Sequence, residues 1–120
     1  MNEKVYKALN EQIKHEFYSS LLYLSMASYF ENIPLDGFNK WFRKQAEEER
    51  EHGMKIYDYI NDRNRQVEIP AIDKAPVKFN SIQEIFEMAL AHEQKVTHWI
   101  YEIYELAINE KDHATHVFLQ

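Results

Sequence analysis

AEEEREHG, residues 46–53, decides how this chain folds. The run is so charged that a solvated helix face is the first expectation. Yet Glu49 and His52 fall in register with Phe38, Phe42, Gln45, Ile56, Tyr59 and Arg63, at the steps of three and four residues that trace one face of an α-helix. A helix that turns a glutamate and a histidine toward its buried side needs compensation, so the question becomes what neighbouring helices place at the same depth.

Prolines delimit those neighbours. Pro34, Pro70 and Pro76 fall in two stretches, NIPLDG (32–37) and residues 65–80, which divide the chain into long helical blocks. The first block, about 3–31, sets Tyr6, Leu9, Ile13, Glu16, Ser20, Tyr23, Ala27 and Phe30 on one stripe. The second, about 37–64, contains the opening stretch and is expected to start from Asp36 as N-cap. The third, about 82–109, opens on a capping box of Ser81 and Glu84 and carries Ile82, Phe86, Ala89, Glu93, Val96, Ile100, Ile103 and Ala107. After a turn at 109–112, HATHVFLQ begins a fourth helical pattern over 112–120.

Connection lengths then fix the topology. NIPLDG is short and folds the second helix back antiparallel on the first. The stretch 65–80 is long: at roughly 3.3 Å per residue it reaches about 53 Å, more than the roughly 42 Å of the helix before it. It can cross the whole bundle and leave the third helix parallel to the second. The expected fold is therefore all-α: one domain over 1–120, a helical bundle of three long helices plus the start of a fourth, with one long crossover.

Composition narrows function. With 120 residues, 45% hydrophobic and 28% charged, and only two glycines and three prolines, the chain is a helical globular domain. A net charge of −6 without any Lys/Arg run argues against nucleic acid, which recruits clustered positive charge. Zero cysteines exclude disulfides and thiolate metal sites and fit a reducing cytoplasm. The N-terminus MNEKVYKALNEQIKHEF has no continuous apolar run, so neither a signal peptide nor a membrane span is expected, and the protein is expected to be soluble and cytoplasmic.

The stripes also answer the opening question. Glu16, Glu49, His52 and Glu93 each interrupt an apolar face near the middle of a helix. Three carboxylates at one level repel one another, and one histidine cannot balance them; a metal ion can. Glu49 and His52 form a Glu-x-x-His unit, which helical bundles use to bind iron or manganese, and oxygen with imidazole donors suits iron, manganese or zinc. A lone Glu-x-x-His on a helix is common and usually solvated. It is the coincidence of three otherwise apolar stripes that points to a metal site, and the two further carboxylates leave room for a dinuclear one.

At these residues the sequence resembles a non-haem bacterial ferritin: EQIKHEFYSSLLY with Glu16, EEEREH with Glu49 and His52, and LAHEQ with Glu93, joined by the long crossover. The likeness spans essentially the whole chain and implies a ferritin-like fold. It implies that Glu16, Glu49 and His52 hold the first iron of a di-iron ferroxidase centre, with Glu49 bridging and Glu93 helping to hold the second. Tyr23, two turns after Glu16, would then lie beside the centre as an accessory electron or hydrogen-bond donor, although an ordinary core tyrosine explains it equally well. Glu48 matches a residue that joins an outer, third iron site in such proteins. The implied function is oxidation of Fe(II) by O2 or peroxide and storage of the Fe(III) product in a homo-oligomeric shell.

Some features depart from the family or speak against its relatives. In ferritins a Gln-x-x-Glu pair on the fourth helix reaches the second iron, and these 120 residues stop at FLQ before it. The second site is then incomplete in one copy, and an apolar groove along the first and third helices is expected to take a second copy or a separate chain carrying that helix. The alternative is a ferritin-derived assembly module with little turnover. Arg50 stands where haem-binding relatives carry methionine, so no haem is expected. A rubrerythrin-type peroxidase would bring cysteines, and a DNA-protecting miniature ferritin a basic tail; neither is present. His113 and His116 read as a solvated pair, His92 and His98 as surface or packing residues, Trp41 and Trp99 as core or interface, and Gly53 as a place where helices could approach closely.

Overall fold

A computed structural model describes residues 1–120 and contains only helices: α1 (Glu3–Tyr29), α2 (Asp36–Asp62), α3 (Ile82–Asn109) and α4 (His113–Phe118). The bundle measures 50 × 22 × 22 Å. Its helix ends have local causes. Asn2, Ser81 and Asp112 accept hydrogen bonds from the Val5, Glu84 and Thr115 amides, which caps three N-termini. Glu84 reaches back to Asn80, whose side-chain amide donates to it at 2.9 Å, and not to Ser81 as a closed capping box would. The second helix corrects the expectation for Asp36. Leu35, held by a tight turn from its amide to the Ile33 carbonyl, takes the cap position without a side-chain bond, and Asp36 becomes the first helical residue. There its charge still favours the positive end of the helix dipole. Beyond α2 and α3, Asn64 and Lys111 adopt left-handed backbone, with φ of 62° and 58°, and the next amides bond back to Ile60 and Ala107.

Two apolar clusters establish the topology. One joins Leu22, Tyr23, Met26 and Ala27 of α1 and the following Phe30 with Phe42 and Ala46 of α2 and Ile85 and Ala89 of α3. The other joins Val5 to Ile13 with Ile56, Ile60 and Ile103. The start of α1 thus meets the ends of both α2 and α3, so both run antiparallel to α1 and parallel to each other. The crossover runs along α1: Asn10 accepts from the Glu68 amide, Ser25 donates to the Pro76 carbonyl, and Phe79 packs edge-on to Tyr29. No helix is long and apolar enough to cross a membrane.

The buried face of α2 is rotated from the one its large residues suggest. Asn39, Phe42, Ala46, Glu49, Gly53, Ile56 and Ile60 are buried, whereas Gln45 and Tyr59 lie on the flank and His52 is exposed. Small residues carry the closest contact: a Cβ on Gly53 would lie 2.5 Å from Phe17 Cε1, so any larger residue there would displace the Phe17 ring. The groove is also misplaced in the sequence reading. α1 packs closely on both α2 and α3, whereas α2 and α3 meet only through side chains such as Phe38 and Phe42 against Phe86, so the open groove runs between α2 and α3. Half-exposed Trp41 and exposed Leu90 flank it at one end, and α4 enters it at the other, with Phe118 stacked on Tyr59 and His116 beside Tyr104.

Candidate metal centre

Midway along the bundle, α1 contributes Glu16 and Tyr23, α2 contributes Glu49 and His52, and α3 contributes Glu93. Glu16 is fully buried and Glu49 nearly so, because both project from the faces along which α1 and α2 meet. One oxygen of each carboxylate, Glu16 Oε2 and Glu49 Oε2, has no hydrogen-bond partner. Buried orphan acceptors are rare and unfavourable. Here they converge: His52 Nδ1 lies 3.5 Å from Glu49 Oε2 and 3.8 Å from Glu16 Oε2, and ligand atoms of all three residues fall within 4.8 Å of one another.

That spacing fits an ion. Bonds of roughly 2.0–2.2 Å set two ligand atoms about 3 Å apart at a right angle and about 4.2 Å apart when opposite. His52, half exposed on the flank of α2, gives the site an open side toward solvent. Its half-exposed position does not fit the buried histidine that the periodicity suggests, but its ring still reaches both buried carboxylates.

Electrostatics point the same way. The Glu49 carboxyl is held far above the usual carboxylate range, first by burial, then by Glu16, then by Glu93. Without a cation, the cluster must therefore retain a proton. A divalent ion would replace it and supply the missing partner for both orphaned oxygens.

Glu93 lies close enough to raise Glu49 but is not one of the three residues that close on a single point. Its Oε1 accepts a short hydrogen bond from the buried Tyr23 hydroxyl. Burial, followed by that bond and by Glu93's charge, raises the tyrosine above its ordinary value and keeps it protonated. Of the expected residues, then, Glu16, Glu49 and His52 are brought together, with Glu93 and Tyr23 adjoining as a pair. Glu48 stands apart, half-buried one residue before Glu49 on α2 and outside the three-residue cluster. Sequence reading missed Gln12, which is buried and donates to Glu16 Oε1 at 3.1 Å. The signal was present: Gln12 precedes Glu16 by four residues, one helical turn on the same face.

Known proteins share this arrangement of chain. A profile of the ferritin-like domain matches residues 6–120. Bacterial non-heme ferritin of Staphylococcus saprophyticus is 46% identical over 119 residues, covering 99% of this chain and 71% of that protein. Its counterpart from Staphylococcus aureus is 41% identical, covering 99% and 72%. The open pore ferritin of the hyperthermophilic archaeon Archaeoglobus fulgidus superposes with a TM-score of 0.95 at 46% identity, over 100% of this chain and 74% of that one. Likeness of this extent, on a bundle with one long crossover and carboxylates meeting at mid-depth, places the chain in the ferritin family.

Proposed function

We propose that this chain is a ferroxidase and iron-storage subunit. Its substrate is Fe(II), which enters at the centre formed by Glu16, Glu49, His52 and Glu93, and its co-reactant is O2 or peroxide. One observation carries the proposal: two buried carboxylate oxygens, Glu16 Oε2 and Glu49 Oε2, are left without a partner on opposite helices, with an imidazole nitrogen within 4 Å of both. His52 is the only basic side chain paired with them, and oxygen with imidazole donors match iron.

In this reading Glu16, Glu49 and His52 hold one Fe(II), while Glu49 and Glu93 face a second. With O2, two Fe(II) ions give one electron each, and the oxygen takes up two protons and leaves as hydrogen peroxide. Iron supplies the redox chemistry. The chain's residues supply placement: the Tyr23 hydroxyl fixes one oxygen of Glu93, and the proton that apo Glu49 retains leaves when metal arrives. The Fe(III) product passes to a cavity enclosed by copies of the chain in a cytoplasmic shell. A further helical segment covers the groove between α2 and α3. Glu48 is the residue from which an outer iron position would be built.

Anaerobic Fe(II) titration followed by admission of O2 tests the proposal. Tight binding and a rapid rise of ferric absorbance are expected, both lost in Glu49→Ala. Absence of binding in the unaltered protein, or unchanged oxidation in Glu49→Ala, refutes it. Native mass by light scattering tests the shell, which requires a particle of many copies.

A further inference from the structure

Gln12 is a costly residue to bury where it lies. It is 1% exposed, at the interior of α1, in a position that leucine or methionine would fill with no polar atom to satisfy. Its side-chain Nε2 donates to Glu16 Oε1 at 3.1 Å, and its own Oε1 is left without any partner. An amide that leaves its carbonyl unpaired in a core weakens the fold, so the bond to Glu16 has to be what the residue provides.

The donor pattern around the centre makes that bond specific. Each of two carboxylates has one oxygen held by a neutral donor from α1: Glu93 Oε1 by the Tyr23 hydroxyl, and Glu16 Oε1 by the Gln12 amide. The other oxygen of Glu16 is free and faces His52. We propose that Gln12 is a positioning residue that commits Glu16 Oε1 to the protein and leaves Oε2 as its sole ligating atom. Glu16 then binds the ion through one oxygen and is prevented from closing both around it. One coordination position stays available for the oxidant, and the carboxylate plane is fixed before metal arrives. Donors of this kind around a metal ligand typically change affinity or activity by about 10- to 100-fold when removed.

The inference rests on the metal-centre reading above, and the experiment separates the two. Chelator-treated full-length protein is titrated calorimetrically with Zn(II), a redox-inert probe, as the unaltered chain, Gln12→Met, Gln12→Asn and each of these combined with Glu16→Gln. Methionine keeps the volume and removes the donor; asparagine keeps the amide and withdraws it by one methylene. Circular dichroism establishes which variants fold, and either one suffices. Metal-difference infrared spectra give the separation of the antisymmetric and symmetric carboxylate stretches, wide for ligation by one oxygen and narrow for two.

The expected result is roughly 10- to 100-fold weaker Zn(II) binding in the Gln12 variants, a narrowed carboxylate separation, and little further loss when the Gln12 change is added to Glu16→Gln. Unchanged affinity and separation would overturn the inference. So would an equal loss in the Glu16→Gln background, which would show that Gln12 acts on the fold and not through Glu16. If the unaltered chain binds no Zn(II), it is the metal-centre reading that fails, independently of the role of Gln12.

Discussion

Replacing Glu49 by glutamine should make the metal-free protein more stable. The folded state holds the Glu49 carboxyl well above the ordinary value of 4.5, through burial first and then through Glu16 and Glu93. A group raised on folding contributes stability that is fully present below its unfolded value and is lost as pH rises toward the folded one. Between about pH 4.5 and neutrality the loss accumulates at up to about 1.4 kcal/mol per pH unit, so by pH 7 it reaches at most about 3.4 kcal/mol. Relaxation and sharing of the proton among the three carboxylates reduce that to about 2 kcal/mol. Glutamine removes the titrating group, and its amide can donate to the orphaned Glu16 Oε2. At roughly 4 °C per kcal/mol, apo Glu49→Gln is expected to melt roughly 8 °C above the parent near neutral pH. The two curves should converge as pH falls below the ordinary value of 4.5, where Glu49 becomes neutral in both folded and unfolded chains. Metal should reverse the order, since an ion at a hundred times its dissociation constant adds about 2.7 kcal/mol to a protein that binds it. The assay is circular-dichroism melting of chelator-treated protein across that pH range, repeated with Zn(II). A variant no more stable than its parent at neutral pH, or a parental profile that stays flat as pH rises, refutes the claim that the cluster is electrostatically loaded.

Three other changes address different parts of the structure. Tyr23→Phe removes the donor to Glu93 and should cost about 1 kcal/mol of stability while leaving the first Fe(II) bound; stopped-flow absorbance should show slower oxidation, and an unchanged rate would remove Tyr23 from the mechanism. Gly53→Ala drives a Cβ to within 2.5 Å of the Phe17 ring and should destabilise by about 1–3 kcal/mol, read from urea unfolding; a neutral result would mean that the Phe17 ring turns aside without cost. Asp112→Asn strikes the Arg63, Tyr59 and Thr115 network. Burial alone would raise the Asp112 carboxyl, but the Thr115 hydroxyl and amide, then Arg63, bring it below its ordinary value. That stability is present above the unfolded value and is lost as pH falls through the folded one, so the variant should lose about 1–2 kcal/mol at neutral pH and progressively less in acid.

Much of this was legible in the chain because its signals are long-range and redundant. Three prolines in two stretches mark the breaks between the long helices, and the reach of 65–80 is long enough to let α2 and α3 run parallel, an inference that needs only chain geometry. Glu16 and Glu49 could be placed at matching depth because each interrupts an apolar stripe. What failed was the exact rotation of α2. Its large residues suggested a face through Gln45, His52 and Tyr59, but Ala46, Gly53 and Ile60 carry the contact. Where two helices approach most closely the side chains are small, so the tightest face has the weakest hydrophobic signal. The misplaced groove has a similar origin: periodicity shows which residues are buried, but not around which partner the helices are arranged. Gln12 was overlooked because a glutamine beside charged residues looks solvated until packing closes over it.

The unequal contacts of α1 also bear on the order in which the chain assembles. α1 and α2 form a hairpin joined by a short turn, whereas α3 must return after the whole crossover has been laid along α1. Local contacts generally form before those that require a long loop to close. The hairpin alone already contains Glu16, Glu49 and His52, while Glu93 arrives only when α3 docks. We expect one ion to stabilise the early hairpin and two to require the finished bundle. Pulsed hydrogen exchange during refolding should then show α1 and α2 amides protected before those of α3, and earlier still when Zn(II) is present.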